Sequence, residues 1–149
     1  MTIGRGLGAL AGASFVVSWI TPAAHAEGDL VGGTLYGWQA ALFALSALFG
    51  SSFGDGLLFN VWMALSATTN LLFLGAALLW WWSSSVVRAR LAVALTLATI
   101  CNSGWMLIPD VWRDLRVGYF LWLGAFAMAA TAAWSEWAPG RESNPAPSA

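Results

Sequence analysis

The 149-residue chain is 59% hydrophobic and only 9% charged, with a formal net charge of −1. Soluble domains carry about 25% charged residues, so this composition excludes a soluble globular fold, whose surface would need many more polar side chains. The six basic residues form no stripe along the chain, which excludes a nucleic-acid-binding protein. The partner that the composition predicts is the lipid bilayer.

Charge-free stretches divide the chain. Asp, Glu, Lys and Arg are absent from five runs, 6–26, 30–54, 56–87, 91–109 and 117–135. The hydrocarbon core of a bilayer is about 30 Å thick and takes about 20 apolar residues as a helix. The runs predict an all-α integral membrane protein without a β-sheet. Its single domain, residues 1–138, is a bundle of five transmembrane helices, with four as the alternative; the five spans are 7–25, 35–50, 57–82, 90–108 and 116–137.

The first run has two interpretations. A secretory signal peptide typically has a positive start, here Arg5, then an apolar stretch and a cleavage site, here Ala24-His25-Ala26. Its cleavage would remove residues 1–26. The other interpretation is a retained helix. Glycines at positions 4, 8 and 12 favour it, because their four-residue spacing gives one helix face that accepts a close neighbour. The retained helix is our first choice.

The second and third runs depart from an ideal span in opposite directions. The second is short and is broken by the glycine- and serine-rich segment 50–56, so a full crossing and a re-entrant or tilted interfacial segment both fit it. The third, 57–82, would be about 39 Å long as a helix at about 1.5 Å per residue. It therefore tilts or is irregular at 66–70, where consecutive Ser, Thr and Asn side chains can bond their own backbone.

The fourth run carries the single cysteine, Cys101, and a polar side chain at bilayer depth, Asn102. Cys101 has no partner for an intrachain disulfide and is predicted to act as a small hydrophobe. Pro109 is predicted to end the fourth helix, since its ring and missing N–H interrupt helical hydrogen bonding. After the fifth run, the tail 139–149 lacks the apolar residues needed for a core and is predicted to be disordered.

Two sets of side chains are predicted to have positions tied to the membrane. Indole has an apolar body and one N–H donor and is enriched where lipid meets water. Tryptophans near the ends of the runs are therefore predicted to be interfacial anchors: Trp38, Trp80, Trp81, Trp82, Trp112, Trp134 and Trp137. Neutral polar residues inside the runs are candidates for helix packing or for a solute pathway: Asn60, Ser66, Thr69, Asn70 and Asn102.

The arginines leave the orientation open. With five crossings, three arginines fall on each side of the membrane, and the positive-inside rule gives no direction. With four crossings the division is four to two, with Arg5, Arg88, Arg90 and Arg141 opposite Arg113 and Arg116. The charge pattern thus favours four crossings, whereas the lengths of the runs favour five, which is our first choice.

The charge-free runs also bear on function. Ionisable side chains at bilayer depth mark catalytic sites and proton relays, and His25, the single histidine, has no second ligand at metal-binding spacing. The sequence predicts no enzyme, no catalytic residue, no metal and no cofactor. It predicts a structural or partner-binding membrane subunit, whose partner is a second copy or another membrane protein. The alternative is a small homo-oligomeric channel or transporter for a neutral or polar solute, and a membrane-embedded enzyme ranks third.

Four short motifs follow one another along the chain. They are Ser18-Trp19-Ile20-Thr21-Pro22, Gly37-Trp38-Gln39-Ala40-Ala41-Leu42, the stretch from Trp62 to Asn70, and Gly118-Tyr119-Phe120-Leu121-Trp122-Leu123. Their order resembles a loose group of small, uncharacterised, polytopic proteins of the bacterial inner membrane. The resemblance implies a retained first helix and a multi-pass protein of that membrane, and it implies no biochemical activity. Leu71 stands where the group often has a proline, so the resemblance does not extend to a kink there.

Overall fold

Helices make up most of the protein. The structure is a computed structural model that describes residues 3–26, 33–49, 56–80 and 84–137. A single 3-10 turn, Gly104–Leu107, continues the fourth helix. The helices are α1 (Ile3–Ile20), α2 (Gly37–Leu48), α3 (Leu57–Leu79), α4 (Ser85–Ser103), α5 (Pro109–Trp112) and α6 (Val117–Glu136).

Four helices are long and apolar enough to cross a membrane: α1, α3, α4 with its 3-10 turn, and α6. The second helix differs, because its 12 residues rise only about 18 Å, against a hydrocarbon core of about 30 Å. In the described residues the architecture is therefore that of a multi-pass membrane protein with four candidate spans. Four candidate spans fit the predicted alternative of four, and a fifth crossing at the second run stays a prediction.

The helices have two distinct ends. At one end, which we call the hairpin end, the C-terminus of α1 meets the N-terminus of α2, because the Gly37 N–H donates to the Thr21 carbonyl oxygen at 3.1 Å. The first turn of α3 meets the end of α4 there, with the Phe59 and Trp105 rings 5.5 Å apart. At the other end, which we call the arginine end, Arg88 at the start of α4 pairs with Glu136 at the end of α6.

The second helix starts from the hairpin end, and the chain returns to that end to begin α3. Helix α2 packs mainly against α3. The choice between a full crossing and a re-entrant or tilted interfacial segment stays a prediction.

A two-stranded antiparallel sheet covers the hairpin end, so the prediction of an all-α fold without a sheet is wrong. Strand β1 (Pro22–Ala26) pairs with β2 (Gly33–Tyr36). The other edge of β1 is also occupied, since the His25 N–H donates to the Asp114 carbonyl and the Arg116 N–H donates to the Ala23 carbonyl, both at 2.8 Å. Strands of five and four residues are too short to show a two-residue hydrophobic period, so the sequence pattern does not predict them.

Three phenylalanines from three helices form the centre of the core. Phe15 of α1 stacks on Phe73 of α3 with ring centroids 4.3 Å apart, and Phe126 of α6 lies 4.9 Å from Phe73. Small residues on α3, α4 and α6 let the backbones approach, as is typical of helix packing in membranes; Ala67, Ala92, Ala125 and Ala132 are fully buried. The first helix thus contributes directly to the core.

Several local predictions differ from the observed structure. The α-helix of the fourth run ends at Ser103, and Pro109 is the first residue of α5 instead of the stop for α4. Helix α3 is unbroken through 66–70. Of the three glycines predicted to accept a close neighbour, Gly4 is buried against Ser135 and Glu136 of α6, whereas a Cβ at Gly8 or Gly12 would have no described atom within 4 Å. The predicted disordered tail, 139–149, lies outside the described residues.

Candidate functional site

Three of the five polar side chains predicted at bilayer depth converge at the end of α4 nearest the hairpin end. Asn102 has no exposed surface, and Ser66 and Thr69 of α3 are also buried beside it. Ser66 and Thr69 are three residues apart, so an α-helix brings them to the same face. The α3 face that they form is turned toward Asn102, and the three side chains are within hydrogen-bond distance.

Hydrogen bonds in this cluster follow a consistent direction. The Trp105 Nε1–H donates to Ser66 Oγ at 2.8 Å, and the Ser66 hydroxyl donates to Asn102 Oδ1 at 3.3 Å. The Asn102 Nδ2 donates to Thr69 Oγ1 at 3.0 Å, and the Thr69 hydroxyl donates to the Ser66 carbonyl oxygen at 2.8 Å. Because each hydroxyl has one proton, this assignment uses both hydroxyls as donor and acceptor at once.

Tyr119 completes the cluster from α6. Its hydroxyl donates to the backbone carbonyl oxygen of Asn102 at 2.7 Å. The Gly104 N–H also donates to this carbonyl, so the Tyr119 bond adds a second contact that ties α6 to the end of α4. We call Ser66, Thr69, Asn102, Trp105 and Tyr119 the Asn102 network; it joins α3, α4 with its 3-10 turn, and α6.

Two members of the network were not among the predicted candidates. Trp105 follows Asn102 by three residues, a helical spacing that would have placed both side chains on one face. Tyr119 lies near the start of α6, and no local pattern ties it to Asn102. The remaining candidates lie elsewhere: Asn70 Oδ1 accepts from the Trp122 indole at 2.7 Å, and Asn60 Nδ2 donates to the Gly56 carbonyl of its own helix start at 3.3 Å.

The predicted tryptophan anchors lie toward both ends of the helices. Trp38 and Trp112 are at the hairpin end, and Trp134 and Trp137 are at the arginine end; all four are between 37% and 54% exposed. Trp80 directly follows α3 and is partly buried, whereas Trp81 and Trp82 lie outside the described residues. Exposed indoles at both ends are typical of the aromatic belts of membrane proteins, and the anchor role stays a prediction.

The chemistry that the Asn102 network can perform is limited. A hydroxyl nucleophile needs a base within reach, but Ser66 and Thr69 bond only an amide, an indole and backbone carbonyls. In the part of the chain that the structure describes, no three His, Cys, Asp or Glu side chains lie close enough to hold a metal ion. The charged side chains Arg88 and Glu136 form a separate pair at the arginine end. The network can hold three helices in register.

Comparisons with known proteins do not assign the chain to a family: no family model, no curated protein and no solved structure matches it. The resemblance to small bacterial inner-membrane proteins therefore stays a prediction. The functional argument depends on the geometry of the helices and on the Asn102 network.

Proposed function

We propose that the protein is a non-catalytic membrane subunit that acts by binding a partner within the bilayer. The observation that carries this proposal is the closure of the Asn102 network. Its polar groups hydrogen-bond one another, Asn102 is fully buried, and Ser66 and Thr69 are only 4% and 9% exposed. Polar residues used in this way stabilise helix association in lipid, where backbone and side-chain polar groups need internal partners.

The same observation weakens the alternative of a channel or transporter. A solute pathway presents its polar groups to water or to the solute, whereas Ser66, Thr69 and Asn102 present theirs to each other. The rings of Phe15, Phe73 and Phe126 fill the space between the helices. A neutral pathway would therefore have to open this packing.

A partner has an open helix face to approach. Gly8 and Gly12 of α1 are partly exposed, and a Cβ added at either would have no described atom within 4 Å; Val16, one turn further along, is 65% exposed. Small residues allow helix backbones in a bilayer to come close. This face supports binding to a second copy or to another membrane protein.

We further propose a multi-pass location in the bacterial inner membrane with the arginine end in the cytoplasm. Four crossings put Arg5, Arg88 and Arg90 at one end and Arg113 and Arg116 at the other, and the positive-inside rule assigns the more basic end to the cytoplasm. Fusions of a cytoplasm-active reporter after Ser85 and at the C-terminus should be active, and fusions after Gly54 and Asp114 should be inactive. The reverse pattern would overturn the orientation.

The burial of the Asn102 network is tested by measuring whether a water-soluble reagent modifies a cysteine placed in it. In a Cys101→Ala background, a membrane-impermeant thiol reagent added from both sides should leave Thr69→Cys unmodified, because the site is buried. Ser84→Cys, exposed before α4, is the control and should react. Modification of Thr69→Cys in the folded protein would favour the channel and overturn the proposal.

Partner binding is tested by photo-crosslinking in native membranes. A photoreactive residue at Val16 should give one discrete protein adduct. The same residue at Leu74, an exposed position on α3, should give lipid adducts alone. Replacing both Gly8 and Gly12 with Leu should remove the protein adduct, since the backbones could no longer approach. Lipid adducts alone from Val16 would contradict a partner on this face.

A further inference from the structure

An apolar groove lies on the outer surface between α4 and α6, near the arginine end. Its volume is about 420 Å³, and Arg90, Val93 and Leu97 of α4 line it opposite Trp134 and Trp137. The α4 residues recur at three- and four-residue spacing and so share one helix face. From Arg90 to Leu97 the helix rises about 10 Å. The groove therefore extends by that length from the start of α4 toward the middle of the helix.

The tryptophan wall of the groove is held in place by the protein. The Trp134 Nε1–H donates to the Thr96 hydroxyl at 3.1 Å, which ties α6 to α4. The Trp137 ring packs edge-on against Trp134 with centroids 5.2 Å apart. A wall that is ordered before binding reduces the entropy lost on binding, so the groove is suited to an apolar chain.

The charge at the mouth of the groove is positive and unpaired. Arg90 is exposed and forms no ion pair with any residue that the structure describes. Its neighbour Arg88 is used differently, because its Nη1 lies 3.5 Å from Glu136 Oε2. An acyl chain in the groove would place its phosphate at the level of Arg90, where guanidinium and phosphate are complementary in charge and hydrogen bonding.

We propose that this groove binds one anionic phospholipid from the leaflet at the arginine end. One acyl chain lies along Val93 and Leu97 against Trp134, and the headgroup phosphate pairs with Arg90. Basic positions between transmembrane helices recognise anionic headgroups in this manner. The proposal does not depend on the function argued above, since the groove is formed within one chain.

The test is native mass spectrometry of the full chain in mild detergent, with phosphatidylglycerol and phosphatidylcholine of identical acyl chains at equal concentration. We expect one phosphatidylglycerol to be retained in preference to phosphatidylcholine. Arg90→Gln should lower that preference about fivefold, the effect of one basic residue near an anionic headgroup. Arg113→Gln, which removes an exposed arginine at the hairpin end, is the matched control and should leave it unchanged.

Two further experiments distinguish binding of the acyl chain from binding of the headgroup. Ala94→Phe adds a ring to the groove wall and should reduce retention of both lipids, because it occupies the space of the acyl chain. Glycerol 3-phosphate should not displace the lipid, whereas displacement would show an anion site without lipid specificity. Equal retention of the two lipids by the unmodified protein, or equal effects of Arg90→Gln and Arg113→Gln, would overturn the proposal.

Discussion

The two ends of the bundle are closed by different kinds of contact. At the hairpin end, backbone meets backbone: β1 pairs with β2 on one edge and with residues 114–116 on the other. At the arginine end, side chains make the closure, through the Arg88–Glu136 pair and the Trp134–Thr96 hydrogen bond.

This difference determines what each end tolerates. Backbone atoms have little freedom to move aside, so the hairpin end requires glycine where chains cross; a Cβ at Gly118 would lie 2.7 Å from the Pro22 carbonyl oxygen. Long side chains can rearrange, and the arginine end accordingly leaves an open groove. The hairpin end is thus closed by backbone contacts, and the arginine end by side-chain contacts beside an open groove.

The largest effect is expected from removing the first helix. A chain that begins at Glu27 would lack Phe15 and the strand β1, so it would lose part of the aromatic core and the centre of the hairpin end. We expect it to yield no folded monomer by size-exclusion chromatography in detergent. The corresponding expectation for the intact protein is that mass spectrometry finds residues 1–26 attached; a mature protein starting at Glu27 would contradict the role given to α1.

The next largest effect, a loss in the free energy of unfolding, is expected from Gly118→Ala. The added Cβ would meet the carbonyl oxygens of Thr21 and Pro22 at 2.8 and 2.7 Å, and overpacking of this kind costs about 1–3 kcal/mol. We expect a loss at the upper end of that range in the free energy of unfolding, measured by denaturant titration in detergent. Gly124→Ala in the same helix has no atom within 4 Å and should be neutral or slightly stabilising. Similar losses in both variants would refute the close approach.

Asn102→Leu tests the contribution of the Asn102 network to stability. It keeps the side-chain size but removes the acceptor of the Ser66 hydroxyl proton and the amide that donates to the Thr69 hydroxyl. An unsatisfied buried polar group costs about 1–3 kcal/mol, and hydrogen bonds between membrane helices average about 0.6 kcal/mol, so we expect about 1 kcal/mol. Ser103→Ala removes a hydroxyl that bonds only its own helix, at the Ile100 carbonyl, and should change stability far less. The measurement is the same unfolding titration.

The smallest effect is expected at the arginine end. Glu136→Gln removes the charge opposite Arg88, and partly exposed ion pairs contribute about 0–1 kcal/mol. We expect about 0.5 kcal/mol at low salt, decreasing as salt screens the pair. Arg113→Gln, which removes an exposed arginine at the hairpin end, is the control and should not lower stability in the same salt-dependent way. A salt-independent loss for Glu136→Gln would indicate a packing effect in place of an ionic one.

The sequence was sufficient for features that depend on composition and insufficient for features that depend on contact. The charge-free runs predicted long apolar helices, and four helices of the structure are long and apolar enough to cross a membrane, because the thickness of a bilayer sets a minimum length for such a helix. Ser66, Thr69 and Asn102 were identified as polar residues at depth, but their meeting needs the packing of α3 on α4. The β1–β2 pairing and the bonds from β1 to residues 114–116 join segments with no shared local pattern.

The pairing of β1 with residues 114–116 has a consequence for how the protein is made. Asp114 is synthesised 89 residues after His25, whose N–H its carbonyl accepts. At about 5–20 residues per second the ribosome needs roughly 4–18 s to cover that interval. During this time α1 stands in the membrane without α6, the helix against which it packs most extensively. The contacts of α1 with α6, and those of β1 with residues 114–116, therefore form only after that interval.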